Sequence, residues 1–126
     1  MVAGAVRVLV CGSRDWGDAE AIERELCGWP VGTVVVHGAA SRKVRGVEQS
    51  ADMLADRIAR AYGYRVEPFP ADWKAEPRRA GILRNLAMLD TGPDLVLAFQ
   101  RNGSRGTQHT IDEARRRGIP VEVFTA

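Results

Sequence analysis

The sequence predicts a three-layer α/β domain built on a five-stranded parallel sheet. Three observations carry this. First, runs rich in apolar and β-branched residues recur at 6–10, 31–36, 64–67, 94–99 and 119–124. Several are continuous rather than alternating, as in strands buried on both faces. Second, the segments between these runs carry apolar residues at helical spacing. Third, the runs end in polar loops, most clearly at Cys11-Gly12-Ser13-Arg14-Asp15-Trp16. Strand–helix alternation implies a parallel sheet with right-handed crossovers. The order expected for the class is 3-2-1-4-5. It sets the first and fourth strands side by side and opens a ligand crevice between the loops at 12–16 and 101–107.

The elements follow in order. Asp18 can cap a helix over roughly 19–28, with Ile22 and Leu26 four apart on its inner face. Pro30 and Gly32 end it. A second helix is expected from about Val47 to Tyr62, with Val47, Ala51, Leu54, Ile58 and Ala61 inward and Gly63 closing it. A third is expected over roughly 75–90, with Pro77 in its first turn and Ile82, Leu86 and Leu89 on one face. The last spans about 107–117, with Ile111 and Ala114 inward and Arg115, Arg116 and Arg117 near its C-terminus.

The 126 residues suit one domain, 1–126. A composition of 45% hydrophobic and 27% charged residues is ordinary for a soluble protein. The absence of a secretory segment and of a membrane-length apolar run points to the cytoplasm and away from a membrane. A net charge of only +2 weighs against a nucleic-acid surface without excluding one. Cys11 and Cys27 match neither a CxxC nor a zinc spacing, so both are read as free thiols. His109 has no histidine partner at ligand spacing. Neither a metal nor a cofactor is assigned.

Candidate site residues cluster in the loops. Gly12, Ser13 and Arg14 can hold an anion at a helix start or form a simple turn. Gly103, Ser104, Arg105, Gly106 and Thr107 are the sharper signal. Thr107 can cap the last helix while the loop amides receive phosphate, or the segment is an ordinary capped turn. Neither loop has GxGxxG or Walker A spacing. Arg84 and Asn85 can turn toward the same crevice or toward solvent. Arg78 and Arg79 suit the surface or the rim. His37 is either an acid, base or base-edge contact, or a hydrogen-bonded structural histidine. Gly38 follows it. Asp52 and Glu48, four apart on one helix face, are the carboxylates suited to glycosidic chemistry, or else exposed charges. Asp72 and Trp73 suit a pocket rim, where Trp73, and similarly Trp16, can stack on a base or fill a subunit contact. Arg42, Lys43 and Arg45 form a basic loop.

Taken together, Val10–Trp16, His37-Gly38-Ala39, Pro70–Trp73, Arg84–Met88, Asp94–Phe99 and Gly103–Thr107 resemble the YspA-like domain of the SLOG superfamily, over nearly the whole chain. The resemblance implies a Rossmann-like fold and a nucleotide or nucleotide-derived ligand, with a sensor role among the possibilities. It implies a bacterial or phage source, and host cytoplasm in the second case. Relatives include the cytokinin-activating phosphoribohydrolases and the DNA-processing protein DprA. Two departures matter. The compact Gly-Gly-Ala-Arg-Gly-Ala-Asp-like segment after the second strand is expanded here to 38–52. The hydrolases' Pro-Gly-Gly-x-Gly-Thr-x-x-Glu motif survives in its glycine part, but its glutamate position falls on Thr110. Binding is therefore expected ahead of N-glycoside hydrolysis, for which Asp52 or Glu48 would have to supply the carboxylate. Single-stranded nucleic-acid binding and a non-catalytic adaptor role rank lower. A homodimer or higher homo-oligomer is expected from the small size and the tryptophans.

Overall fold

The computed structural model describes residues 5–126, the side chain of Glu48 excepted. In chain order the elements are β1 (Arg7–Gly12), α1 (Ala19–Leu26), β2 (Val34–His37), β3 (Lys43–Val44), β4 (Val47–Glu48) and α2 (Ala51–Ala61). Then follow β5 (Arg65–Pro68), α3 (Ala80–Asp90), β6 (Leu95–Gln100), α4 (Arg105–Arg116) and β7 (Val121–Thr125). The main sheet runs β5-β2-β1-β6-β7, and every pairing in it is parallel. With the hairpin strands β3 and β4 set aside, this is the expected 3-2-1-4-5, and the fold is Rossmann-like α/β. No helix among the described residues is long and apolar enough to cross a membrane.

The central strands explain the unbroken apolar runs. Side chains alternate across the sheet, so each strand supplies both layers. Val8, Val10, Val35, Leu97 and Phe99 pack under α1 and α2, while Leu9, Val36, Val96 and Ala98 pack under α3 and α4. Phe99 lies edge-on to Trp16, with ring centroids 5.4 Å apart, and stacks on Phe124 at 5.0 Å. Truncating so enclosed a ring costs about 3–5 kcal/mol. The edge strands β5 and β7 are only partly covered.

Four element starts differ from expectation. The second helix starts at Ala51, not near Val47. Ser50 accepts the Met53 amide as N-cap (3.1 Å) and donates to the Ala40 carbonyl. Val47 is therefore 56% exposed rather than inward, and residues 43–48 form an antiparallel hairpin. Its turn residues Arg45 (φ 52°) and Gly46 (φ 79°) are both left-handed, as a two-residue primed turn requires. For the arginine that conformation costs roughly 1–2 kcal/mol.

The third helix starts at Ala80, because Pro77 disfavours helical backbone at Glu76. Residues 73–79 form successive turns instead, and Asp72 accepts the Ala75 amide at 3.1 Å. The inward face of α3 is Ala80, Asn85, Met88 and Leu89, whereas Ile82 is 48% exposed. The last helix starts at Arg105, with Ser104 as N-cap. Thr107 is inside the first turn and does not cap it. Strand β2 starts at Val34, and Val31 is exposed in the preceding loop. Cys11 is buried and Cys27, the C-cap of α1, is exposed; both are free.

Candidate functional site

The first and fourth strand-end loops are tied together at Ser13. Its amide donates to the Phe99 carbonyl (2.9 Å), its hydroxyl donates to the Arg101 carbonyl (3.1 Å), and the same oxygen accepts the Arg101 amide (2.8 Å). Ser13 is 2% exposed, so its hydroxyl is a clasp between the loops rather than a free ligand donor. Arg101 also pairs with Asp15 across the loops at 3.6 Å. Gly12 makes the junction possible. A Cβ there would lie 2.5 Å from both the Phe99 carbonyl oxygen and the Ala51 Cβ, so β1, β6 and α2 converge on a position only glycine fits.

Above this junction opens a cleft of about 510 Å³, joined to a side lobe of about 260 Å³. Arg14, Ala40, Trp73 and Arg84 line both lobes. The main lobe is floored by Gly12, Ser13 and Cys11 and walled by Asp52, Asn85, His109 and the first turn of α4 from Ser104 to Thr107. The side lobe holds Gly38 to Ser41 and Pro70-Ala71. The volumes suit a small polar ligand.

The α4 terminus is the anion-seeking wall. Ser104 makes no side-chain capping bond; its hydroxyl accepts that of Thr107 instead (3.2 Å). The first-turn amides of Arg105, Gly106 and Thr107 thus lack a side-chain cap, and they sit at the positive end of the helix. A Cβ on Gly106 would meet nothing within 4 Å, so the backbone there is open.

Opposite stands a linked set of polar groups. Arg84 donates from Nε to Asn85 Oδ1 (2.9 Å) and from Nη1 to the Gly38 carbonyl. Asn85 Nδ2 then donates to the Gly106 carbonyl (3.3 Å) and to His109 Nδ1 (3.2 Å). Because Asn85 Oδ1 accepts from Arg84, the amide orientation is set, His109 Nδ1 accepts, and its proton sits on Nε2. Burial pulls the Arg84 guanidinium below its usual range, the Asp52 charge opposes this, and the Arg14 charge adds to it. Gly38 again serves by its lack of a side chain: a Cβ would meet Arg84 Nη1 at 2.4 Å.

Asp52 is 5% exposed, which removes the exposed-carboxylate reading. It accepts the Ala40 amide (3.1 Å). Burial holds its carboxyl above the ordinary range, against the lowering effects of the Ala40 amide, His37 and Arg84. Burial also pushes the Cys11 thiol up, with the Asp52 charge adding to the effect, so this cysteine is not an activated nucleophile.

The structure therefore gathers Gly12, Ser13, Arg14, Asp52, Trp73, Arg84, Asn85, Ser104, Arg105, Gly106 and Thr107 around one lobe, with Gly38 in the adjoining one. Five expectations fall elsewhere. His37 is fully buried behind the wall: Nδ1 accepts the Ala39 amide (3.0 Å) and Nε2 bonds Asp56 (2.9 Å), the structural alternative. Burial works against ionisation of Asp56, but hydrogen bonds from Arg60 and His37 outweigh it and hold the carboxyl low. Asp72 is exposed and caps a turn outside both lobes. Gly103 forms the left-handed turn before α4 (φ 62°) without lining the cleft. Glu48 belongs to β4, so it does not share a helix face with Asp52; its side chain lies outside the described residues. Trp16 is 2% exposed in the core and is available neither for stacking nor for an interface. Sequence reasoning missed Ala40, Gly81, Ile82 and Met88 in the lining. Gly81 had a readable cue in being a glycine inside a helix. It leaves room for the Trp73 indole, which a Cβ at this position would approach to 3.3 Å. Among the described residues there is no cluster of three or more metal-ligating side chains.

The model of the YspA, cpYpsA-related SLOG family matches residues 6–75. The Gene 61 protein of Mycobacterium phage D29 is 43% identical over 127 residues, covering 94% of this chain and 95% of the phage protein. The chain belongs to the YspA, cpYpsA-related SLOG family. For this SLOG chain the family match spans the first two strand-end loops and reaches into the third, while the phage relative extends the similarity across nearly the whole chain, where Arg84 and the α4 terminus lie. Two crystal structures of the C-terminal domain of a Pyrococcus furiosus hydrogenase are similar at 16% and 19% identity, with TM-scores of 0.49 and 0.46. Each covers 98% of this chain, and 95% and 96% of the solved chains respectively.

Proposed function

We propose that this SLOG domain binds a nucleotide or nucleotide-derived ligand, with its phosphate at the α4 terminus. The observation that carries the reading is the uncapped first turn of α4, open at Gly106, facing Arg14 and Arg84 across one cleft. Backbone amides and guanidinium groups aimed at one volume are what a phosphate monoester or diphosphate requires. Trp73, 49% exposed and shared by both lobes, supplies a face for a base. The test is a titration and thermal-shift panel of AMP, ADP, ADP-ribose, NAD and cyclic nucleotides. A ligand at about a hundred times its Kd stabilises by about 2.7 kcal/mol, a rise on the order of 10 °C for a chain of this size. Silence across the panel at millimolar concentration would refute the reading.

Asp52 favours a second reading, N-glycoside hydrolysis of a nucleoside monophosphate. It is a buried acid with a raised pKa lining the same lobe. That reading requires free base to accumulate with a nucleoside monophosphate and to stop accumulating in Asp52→Asn. Binding without base release leaves the first reading alone.

A further inference from the structure

The charge of this chain is segregated in a way its total conceals. The segments running from the C-terminal ends of the first four sheet strands to the next helix are 13–18, 38–50, 69–79 and 101–104. With the cleft-lining helix residues Asp52, Arg84 and Arg105 they hold ten of the eighteen lysines and arginines but six of the sixteen acids. The cleft end therefore carries an excess of four positive charges, and the rest of the chain an excess of two negative ones. One acid at the cleft end, Asp52, is buried, and another, Asp15, is paired with Arg101.

The hairpin of β3 and β4 extends this basic end. Its root, Ser41, lines the side lobe, so cleft and hairpin are continuous. Lys43 and Arg45 are exposed along it, Arg45 at the turn itself in a left-handed conformation, and the cross-strand pair Val44 and Val47 is exposed beside them. A single phosphate needs none of this. A row of cations continuing from a lobed cleft with a half-exposed indole between its lobes matches a flexible chain of phosphates and bases.

We propose that the ligand is the phosphorylated end of a single-stranded nucleic acid. The terminal phosphate lies at the α4 terminus, a base lies on Trp73, and the following phosphates run over the side lobe onto the hairpin. This rests on the phosphate-binding reading of the cleft and adds the polymer to it. DNA and RNA share the chemistry invoked and are separated by the test.

The experiment measures fluorescence anisotropy with single-stranded DNA and RNA oligonucleotides, each with a 5′-phosphate, a 3′-phosphate or neither. The matching mononucleotide serves as competitor and anionic vesicles as a separate arm. If five phosphates are neutralised, affinity falls roughly a hundredfold between about 50 and about 200 mM salt. The hairpin variant Arg42→Ala, Lys43→Ala, Arg45→Asn keeps a residue suited to the primed turn. It lowers the slope of log affinity against log salt by about 2 and leaves mononucleotide affinity within about twofold. Oligonucleotides that bind no tighter than the mononucleotide, or a hairpin variant with an unchanged slope, overturn the inference while the binding reading stands. Preference for vesicles over oligonucleotides also overturns it. Oligonucleotide binding that neither excess mononucleotide nor Arg84→Ala reduces overturns both.

Discussion

Replacing Gly38 with alanine isolates what Arg84 does. The new Cβ would lie 2.4 Å from Nη1, 2.8 Å from Cζ and 3.1 Å from Cδ of Arg84, where ordinary contact begins at 3.4 Å. The guanidinium must withdraw by about 1 Å, because the methyl group is fixed to the backbone at the end of β2 and cannot yield. That breaks the bond to the Gly38 carbonyl and strains the 2.9 Å bond to Asn85. A hydrogen bond from a charged group contributes about 1.5–3 kcal/mol, part of which the arginine recovers by reaching solvent in the cleft. A net loss of about 1–2 kcal/mol corresponds to a Tm lower by roughly 4–8 °C for a domain of this length. Misplacing the cation that faces the phosphate costs about ten- to hundredfold in affinity. Calorimetric titration with the tightest ligand of the panel, beside a thermal melt, reads both quantities. Gly38→Ala and Arg84→Ala are expected to lose similar affinity, and the double variant little more than either. A Gly38→Ala protein that melts lower yet binds at full affinity would refute the role given to Arg84.

Gly12→Ala is expected to act on stability instead. Its Cβ meets backbone and helix at 2.5 Å, where nothing flexible can yield, and the expected loss of about 2–4 kcal/mol appears as a Tm drop on the order of 10 °C; a shift under about 2 °C contradicts the close approach. Ser13→Ala removes the hydroxyl that the part-buried Arg101 amide donates to, while the Arg101 carbonyl keeps the Ser104 amide (3.3 Å), and is expected to cost about 1–2 kcal/mol and to loosen ligand binding, measured by melting and titration. Asp52 gives a pH signature. Its pKa is raised in the fold, so the folded chain holds more protons than the unfolded one between the two values, and stability declines as pH climbs through that interval. Melts across the acid-to-neutral range should therefore show the Tm of Asp52→Asn gaining on the parent as pH rises; parallel curves would show that burial does not govern this carboxyl.

The sheet was legible because buried parallel strands are written as unbroken apolar runs, and Val34–His37 and Leu95–Gln100 are buried on both faces. Helix starts were less legible, since competing local chemistry decides them: the Ser50 cap, Pro77 acting on Glu76, and Ser104 rather than Thr107 at α4. The glycine loops showed in the sequence as ligand loops because both precede helices. What did not show was the division of labour inside them. Ser13 is consumed by Arg101 and His37 by Asp56, and only tertiary contacts between segments 88 and 19 residues apart reveal it.

The polarity of charge has a topological cause that makes it readable in principle. In an all-parallel sheet every strand leaves at the same end, so the segments that follow strands share one edge and those that follow helices share the other. A net charge of +2 averages the strand C-terminal edge with the rest of the chain. Counting that edge by itself, with its cleft-lining helix residues, separates an excess of four positive charges from an excess of two negative ones in the remaining helices, strands and loops. The argument from a small net charge against polyanion binding therefore fails for this architecture. The relevant quantity is the field at the strand C-terminal edge, where the free amides of α4 add their partial positive charge to that of the arginines.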